Sequence, residues 1–456
     1  MGSLMRRALL FNFRAVHRLG RWFKRRFTSV GMLTLGAMMA SAVFGIDTRI
    51  TLASQLFTTF AAIIGCGYVL SMRFKSTLDV CREVPRYATV GVAFTYRMTL
   101  RNNVLNSLTG LWVEDQVRER FPTQQEFLSA REPHSERRNL FDRQIGYPRW
   151  AWLVRRSRRV ITKACEVGNL PGQGAVRVDM TLMPIRRGIV QFTGVDVWRH
   201  EPLGMCKART HLVKGESIVV LPKSYSLEWK MAAGFNAAMN AKSNETRFRG
   251  GTEDFSMIRE YRSGDPLRHI HWPSSARLDQ LVVKEFHKEN DSQVALVLDT
   301  CTEPSNEHHL EEAVSLAASI VTSPRDTNLR VESLYTIDGA VFTDNTATDA
   351  SELRLLESLA CVEVCDGRAF SELANAVIHQ TSSARGVICV LLKWDEQRQH
   401  FVRALRASAV PVLVVMIAPE ETRDSFDLGP MADQPSQFHV LDAIKSDRAL
   451  PGFVNG

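Results

Sequence analysis

Residues 251–286 read GTEDFSMIREYRSGDPLRHIHWPSSARLDQLVVKEF and lie between two differently patterned parts of the chain. Charges of both signs are interleaved with Tyr261, Trp272 and Phe286, so neither a solvated charge run nor a greasy core segment describes the stretch. Gly264-Asp265-Pro266 is a turn signal, because glycine takes a positive φ freely and proline fixes φ ahead of a first helical turn. A short helix is predicted from Leu267 to Leu278, interrupted by Pro273, with Arg268, Trp272 and Ala276 one turn apart on one face. The indole can then pack between a cation and a small residue. From Leu281 the spacing becomes extended and β-branched, which hands the chain to a new domain.

Downstream, QVALVLD at 293–299 reads as a buried strand, His309–Val321 as a helix and Leu329–Tyr335 as a strand. Ala350–Ala360 and Ala369–Thr381 read as helices, Val387–Leu392 as a strand, Glu396–Ala407 as a helix and Val410–Ile417 as a last strand. Strands alternating with helices predict an α/β domain over 291–420 with a parallel sheet covered on both faces. Residues 421–456 have few apolar runs and read as a tail.

Upstream, 224–290 reads as a helix-bearing linker plus the quoted stretch. Before it, Thr89–Leu100, Ala175–Met183, Gly188–Trp198 and Ser217–Leu221 read as strands without long helices between them, predicting an immunoglobulin-like β-sandwich over 76–223. The pattern is lost between Phe121 and Arg159, a charged insertion ending RWAWLVRRSRR that reads as a basic flap or solvated edge.

Two uncharged apolar runs, Thr28–Ile46 and Ile50–Met72, flank Asp47-Thr48-Arg49, and each is near the ~20 residues that cross a bilayer. They predict a transmembrane hairpin over 28–75, in contact with lipid through 28–72. Arginines before the first run, with Arg73 and Lys75 after the second, put both termini in the cytoplasm at a bacterial inner membrane. Ala40-Ser41-Ala42 resembles a signal-peptide cleavage site, but the basic leader is long and a second apolar run comes directly after it. Residues 1–27 hold eight Lys and Arg and no acid, which accounts for the whole formal net charge of +8. The remainder is balanced, which argues against nucleic acid as a partner. The same arm carries Leu9, Leu10, Phe13, Val16 and Phe23 at roughly helical spacing, and reads either as a helix lying on an anionic leaflet or as a basic flank that sets topology. The eight cysteines lack the spacing of a disulfide framework and read as free thiols.

The pattern E-Y-x-x-G-D-x-x-R-x-I-x-W-x-x-x-A-R falls on Glu260, Tyr261, Gly264, Asp265, Arg268, Ile270, Trp272, Ala276 and Arg277. It resembles, without departure, the signature of the domain-of-unknown-function family 58, a set of bacterial membrane-anchored proteins. A second family-like block is RRGIVQF at 186–192 followed by PLGM at 202–205. The resemblance implies a functional link to MoxR-type AAA+ ATPases and a role in assembling or activating envelope or metalloprotein complexes. The α/β domain in turn resembles the von Willebrand factor type A fold, whose first strand ends in a D-x-S-x-S metal site. Here Asp299 keeps the first position, while Cys301 and Glu303 replace the serines. A hard cation such as Mg²⁺ prefers oxygen ligands, so the site reads as degenerate. Asp299, Thr302, Glu303 and Asp395 are the oxygen cluster that could still hold such an ion.

Other chemistry is thin. No G-x-x-x-x-G-K-[ST] loop is present, His269, His271, His308 and His309 have no cysteine set at zinc spacing, and no G-x-S-x-G elbow frames Ser274 and Ser275. The signature, through Glu260, Tyr261, Arg262, Gly264, Asp265, Arg268, Trp272 and Arg277, reads either as a docking surface or as a clasp of internally paired charges with Trp272 filling a domain joint. The chain therefore reads as a multidomain α+β, non-enzymatic membrane scaffold without a cofactor. The alternative is a hydrolase using a divalent metal near Asp299.

Overall fold

The computed structural model describes residues 3–44, 51–74, 77–129, 146–225, 235, 237–239, 255–262, 270–286, 292–302, 307–323, 329–336, 339–342, 349–365, 370–380, 384, 386–418 and 427–441. The chain divides into two compact units, 1–223 and 224–456.

The first unit begins with three helices, α1 (Ser3–Arg26), α2 (Ser29–Phe44) and α3 (Thr51–Met72). Leu52–Met72, with a mean hydropathy of 1.5, is long and apolar enough to cross a membrane. Among the described residues it is the one helix that is. At 16 residues α2 spans about 24 Å, short of the ~30 Å hydrocarbon thickness, and residues 45–50 of the expected hairpin lie outside the described set. Both helices hold apolar side chains outward, among them Leu33, Val43, Phe44, Leu52 and Val69.

Strands β1 (Leu78–Glu83), β2 (Tyr87–Thr89), β3 (Phe94–Asn102) and β4 (Leu111–Val117) precede helices α4 (Gln124–Ser129) and α5 (Tyr147–Arg156). β5 (Val160–Thr162), β6 (Cys165–Val167), β7 (Ala175–Pro184), β8 (Gly188–His200) and β9 (Lys207–Leu221) complete the unit. They form two sheets, ordered β1-β3-β7-β5 and β2-β9-β8-β4-β6, antiparallel except for the β2–β9 pair. Period-2 burial, seen in β7 and along most of β8, turns alternate side chains from both sheets into one core that includes Met98, Leu100, Met180, Leu182, Phe192 and Val197.

Two expectations for this unit change. Part of the insertion between Phe121 and Arg159 is helical: α5 starts after Gly146, whose φ of 78° glycine tolerates, and has proline in its first turn. Its Trp150 and Val154 are buried against Leu10 and Phe13 of α1, so this tryptophan is core rather than flap. Part of the apolar stripe of α1 is thereby covered by protein and not by lipid. Phe11, Leu19 and Trp22, on another face of α1, remain exposed.

The PLGM block forms the turn between β8 and β9 and ties the apolar helices to the sheets. The Glu201 carboxylate accepts from the backbone N–H groups of Leu203, Met205 and Cys206, which closes the turn. Gly204 sits at φ 70°. Thr28 donates its hydroxyl to Gly204 O at 2.6 Å and its N–H to Met205 O at 3.1 Å. Gly31 lies so close to Met205 O that an added Cβ would meet it at 2.0 Å, so only glycine fits there.

The second unit contains a two-stranded antiparallel hairpin, β10 (Phe255–Glu260) with β11 (Val282–Phe286), and the helix α6 (Trp272–Leu278) between its strands. The main sheet uses β12 (Ser292–Leu298), β13 (Leu329–Thr336), β14 (Gly339–Phe342), β15 (Gly386–Leu391), β16 (Val412–Ile417) and β17 (Phe438–Leu441), in the order β14-β13-β12-β15-β16-β17. All pairs are parallel except β13–β14. Helices α7 (Glu307–Val321), α8 (Asp349–Cys361), α9 (Phe370–Gln380) and α10 (Glu396–Ala407) connect the strands. Buried side chains of α9 and α10 share a core with Ala295, Val297, Cys389 and Val414, while Leu310, Ala313, Val314 and Ala317 of α7 are buried as well. Residues 438–441, read as tail from sequence, are instead the sixth strand, paired with β16. The edge strand β14 is likewise a strand that the sequence pattern did not announce.

Candidate functional site

In an open α/β sheet the strand order reverses at a switch point, and ligands bind in the crevice beyond the carboxyl ends of the strands there. Here the reversal falls between β12 and β15. Asp299 comes directly after β12 and is fully buried. Its backbone N–H donates to Val390 O at 2.9 Å, holding it against the end of β15. The carboxylate accepts from Cys301 N at 2.9 Å and Leu392 N at 3.3 Å.

An arginine that sequence patterning does not single out also occupies this crevice. Asp395 caps α10, accepting from Arg398 N at 3.0 Å, and this first turn aims Arg398 inward. Arg398 Nε and Nη2 each donate to Asp299 at 3.2 Å, in a bidentate pair. Its Nη1 donates to Asp395 Oδ2 at 2.7 Å. The guanidinium lies 4.0 Å over the Phe370 ring, and the side chain is 3% exposed. Burial pulls the Arg398 pKa down, but Asp299 and then Asp395 push it up further, so it rests above its ordinary value and stays charged.

These residues do not fit a divalent cation. The oxygens expected to ligate one already accept from backbone N–H groups and from a fixed guanidinium, which would repel a second positive charge. Thr302 is buried at the same strand end, and Glu303 lies outside the described residues. Among the described residues no three His, Cys, Asp or Glu side chains converge as a metal would need. Cys301, at the second position of the motif, has its thiol pushed up to about 12 by burial and then by Asp299, so it is a protonated, unreactive group. All eight cysteines are free.

The signature is the second candidate. Ile270 bridges to Val283, Tyr261 N donates to Leu281 O at 2.9 Å, and His271 N donates to Val282 O at 2.9 Å. The buried Ser275 receives Val282 N at 3.0 Å and donates to His271 O at 3.1 Å, so it fastens α6 to the hairpin. Helix α6 starts at Trp272 with Pro273 in its first turn, where a missing N–H costs nothing, instead of being interrupted by it. His271 Nδ1 lies 2.7 Å from Ser274 Oγ, but this contact spans one helical turn, and no carboxylate among the described residues orients the ring as a nucleophilic triad requires. Trp272 is 64% exposed, and Leu278 and Leu281 are exposed with it. Glu260, Arg262 and Arg277 are also exposed, and Tyr261 is partly buried. Gly264, Asp265 and Arg268 lie outside the described residues, so the packing expected between Arg268 and Trp272 does too.

Residues 257–429 match the family described as protein of unknown function DUF58. No curated protein matches the chain. Among solved structures, the CARDB domain of a Pyrococcus furiosus protein is 11% identical over 32% of this chain and 94% of its own, with a TM-score of 0.17. The superoxide reductase of Ignicoccus hospitalis is 13% identical over 29% of this chain and 77% of its own, with a TM-score of 0.12. The sporulation control protein Spo0M of Bacillus subtilis is 10% identical over 41% of this chain and 58% of its own, with a TM-score of 0.15. Likenesses this slight carry no argument about fold or function.

Proposed function

With residues 257–429 carrying the domain of unknown function 58, we propose that this protein is a membrane-anchored scaffold whose second unit recognises other proteins. The observation that carries the reading is the exposure of Trp272, Leu278 and Leu281 beside Glu260, Arg262 and Arg277. Tryptophan and arginine dominate the energetics of protein interfaces, and apolar anchors rimmed by charge are what such a surface needs. Closure of the switch-point crevice by Arg398 speaks against the competing reading, a metal-dependent hydrolase at Asp299.

In this reading α2 and α3 form a two-pass anchor in a bacterial inner membrane, with both soluble units and both termini on the cytoplasmic side. The first unit is an immunoglobulin-like sandwich. The second is a von Willebrand factor type A-like domain, supported by its strand order and antiparallel edge strand, with its metal replaced by a guanidinium. The partner is a MoxR-type AAA+ ATPase, as the family resemblance implies, and it supplies the ATP dependence of complex assembly or envelope maintenance.

The test is affinity purification from detergent with three baits: wild type, Trp272→Ala/Arg277→Ala and Asp299→Asn. Recovery of an AAA+ ATPase with wild type and Asp299→Asn, and its loss with the signature variant, supports the scaffold. Absence of any stable partner, together with Asp299-dependent hydrolytic turnover, overturns it.

A further inference from the structure

A cleft of about 790 Å³ opens in the first unit between the end of α1, the residues after β4, the segment 157–162 and the start of β8. Nothing in the scaffold reading uses it. Its walls carry seven Lys and Arg side chains against three carboxylates.

Two of the three acids are already committed. Asp115 accepts from the buried Arg82 at 2.5 Å and from Tyr96. Glu119 pairs with Arg21 and faces His17 at 3.7 Å. Burial, followed by the neighbouring Asp196, raises the pKa of Glu114. Two of the cations, by contrast, are oriented by neutral acceptors. Arg118 Nη1 donates to the amide oxygen of Gln191 at 3.0 Å, and Arg25 donates to the amide oxygen of Gln116. Lys24 and Arg158 are exposed at the cleft and have no ion-pair partner among the described residues.

The pKa of Arg25 is lowered by burial and then by Arg209, and that of His17 by burial and then by Arg21. Guanidinium groups held by neutral acceptors keep further N–H donors in the fork geometry that matches phosphate oxygens. The volume lies in the range of small-ligand sites.

We propose that this cleft binds a phosphate-bearing anion through Arg25, Arg118, Arg158 and Lys24. Two sources carry that chemistry. Lys24 and Arg25 stand within two helical turns of Ser29, where the first apolar helix begins. If the helices are inserted as in the scaffold reading, a phospholipid headgroup reaches the cleft from the membrane surface. The other source is a soluble phosphoester, which needs no membrane.

The experiment uses the full chain in a neutral detergent, titrated separately with pyrophosphate and with detergent-solubilised phosphatidylglycerol, with binding read by native mass spectrometry. The variants are Lys24→Glu/Arg158→Glu, Arg118→Gln, and Arg177→Glu as an exposed charge reversal on β7 away from the cleft. Expected is saturable binding of one probe, weakened at least tenfold by Lys24→Glu/Arg158→Glu and about threefold or more by Arg118→Gln, and changed less than twofold by Arg177→Glu. Binding of the lipid alone assigns a headgroup, and binding of pyrophosphate alone assigns a soluble ligand; the latter stands whether or not the scaffold topology does. Binding of neither probe, or equal weakening by Arg177→Glu, overturns the proposal. The substituted residues are exposed, so wild-type thermal unfolding is expected of their variants, and Arg118→Gln keeps a hydrogen-bonding side chain should the double reversal perturb the fold.

Discussion

Replacing Arg398 by methionine removes one half of a buried ion pair while keeping most of the side-chain volume. Asp299 is then left fully buried, still held by Cys301 N and Leu392 N but without its counterion. Stripping one partner from such a pair costs about 3–5 kcal/mol. The Asp395 arm adds little, because that carboxylate is 43% exposed and well solvated. The stacking on Phe370 is worth about 2 kcal/mol when desolvated, part of which a methionine sulfur over the ring restores. A loss near 4 kcal/mol raises the open population of the second unit about a thousandfold. Cys389, buried in β15, reports that opening through its rate of maleimide alkylation, which mass spectrometry reads site by site in the full chain. Site resolution matters because a chain of two units has no single unfolding free energy. A rise of less than tenfold at Cys389 would refute the reasoning, since it would mean that Asp299 does not depend on Arg398. Asp299→Ala should cost more than Arg398→Met, because it also orphans two buried N–H groups worth about 1–3 kcal/mol each.

Gly31→Ala forces a Cβ into Met205 O and should cost about 1–3 kcal/mol, read as faster alkylation of the buried Cys206. Trp150→Ala empties the contact with Leu10 and Phe13 at a cost of about 3–5 kcal/mol, and should make residues 1–27 markedly more sensitive to trypsin. Burial lowers the pKa of His439 in β17, so the unfolded chain binds more protons than the folded one below its ordinary value of 6.5. The stability it contributes is full above that value and is lost as pH falls toward its depressed folded pKa. The protection factors of β17 amides, which divide out the intrinsic slowing of exchange in acid, should therefore fall on acidification from about pH 7.5 to 5.5, and His439→Leu should flatten that dependence.

Much of the second unit was legible because its parallel strands are continuous apolar runs and its helices carry clean stripes; the helix 396–407 was read to its ends. Arg398 escaped because an arginine on an exposed-looking helix reads as solvated. The available signal was its position: with Phe401, Val402 and Leu405 it completes the buried stripe of α10, and a charge on that stripe needs an internal counterion. Strand β17 is four residues long and contains a histidine, so only its pairing with β16 defines it. The helix α5 was hidden by its arginines and by the distance in sequence to α1, the partner that buries Trp150. The amphipathic pattern of α1 was visible, but no local pattern says whether protein or lipid covers it. In the signature, sequence located the motif and the structure placed Trp272 in solvent, a tertiary outcome that spacing alone does not encode.

The scaffold account is tested most directly by placing a photo-crosslinking amino acid at position 272 of the full chain in living cells, with position 163 on the first unit as the control. A scaffold of this kind gives a discrete adduct with an AAA+ ATPase from position 272 that disappears when Arg277 is changed to alanine and is absent from position 163. Identical adduct patterns from both positions, or none from position 272, would contradict it.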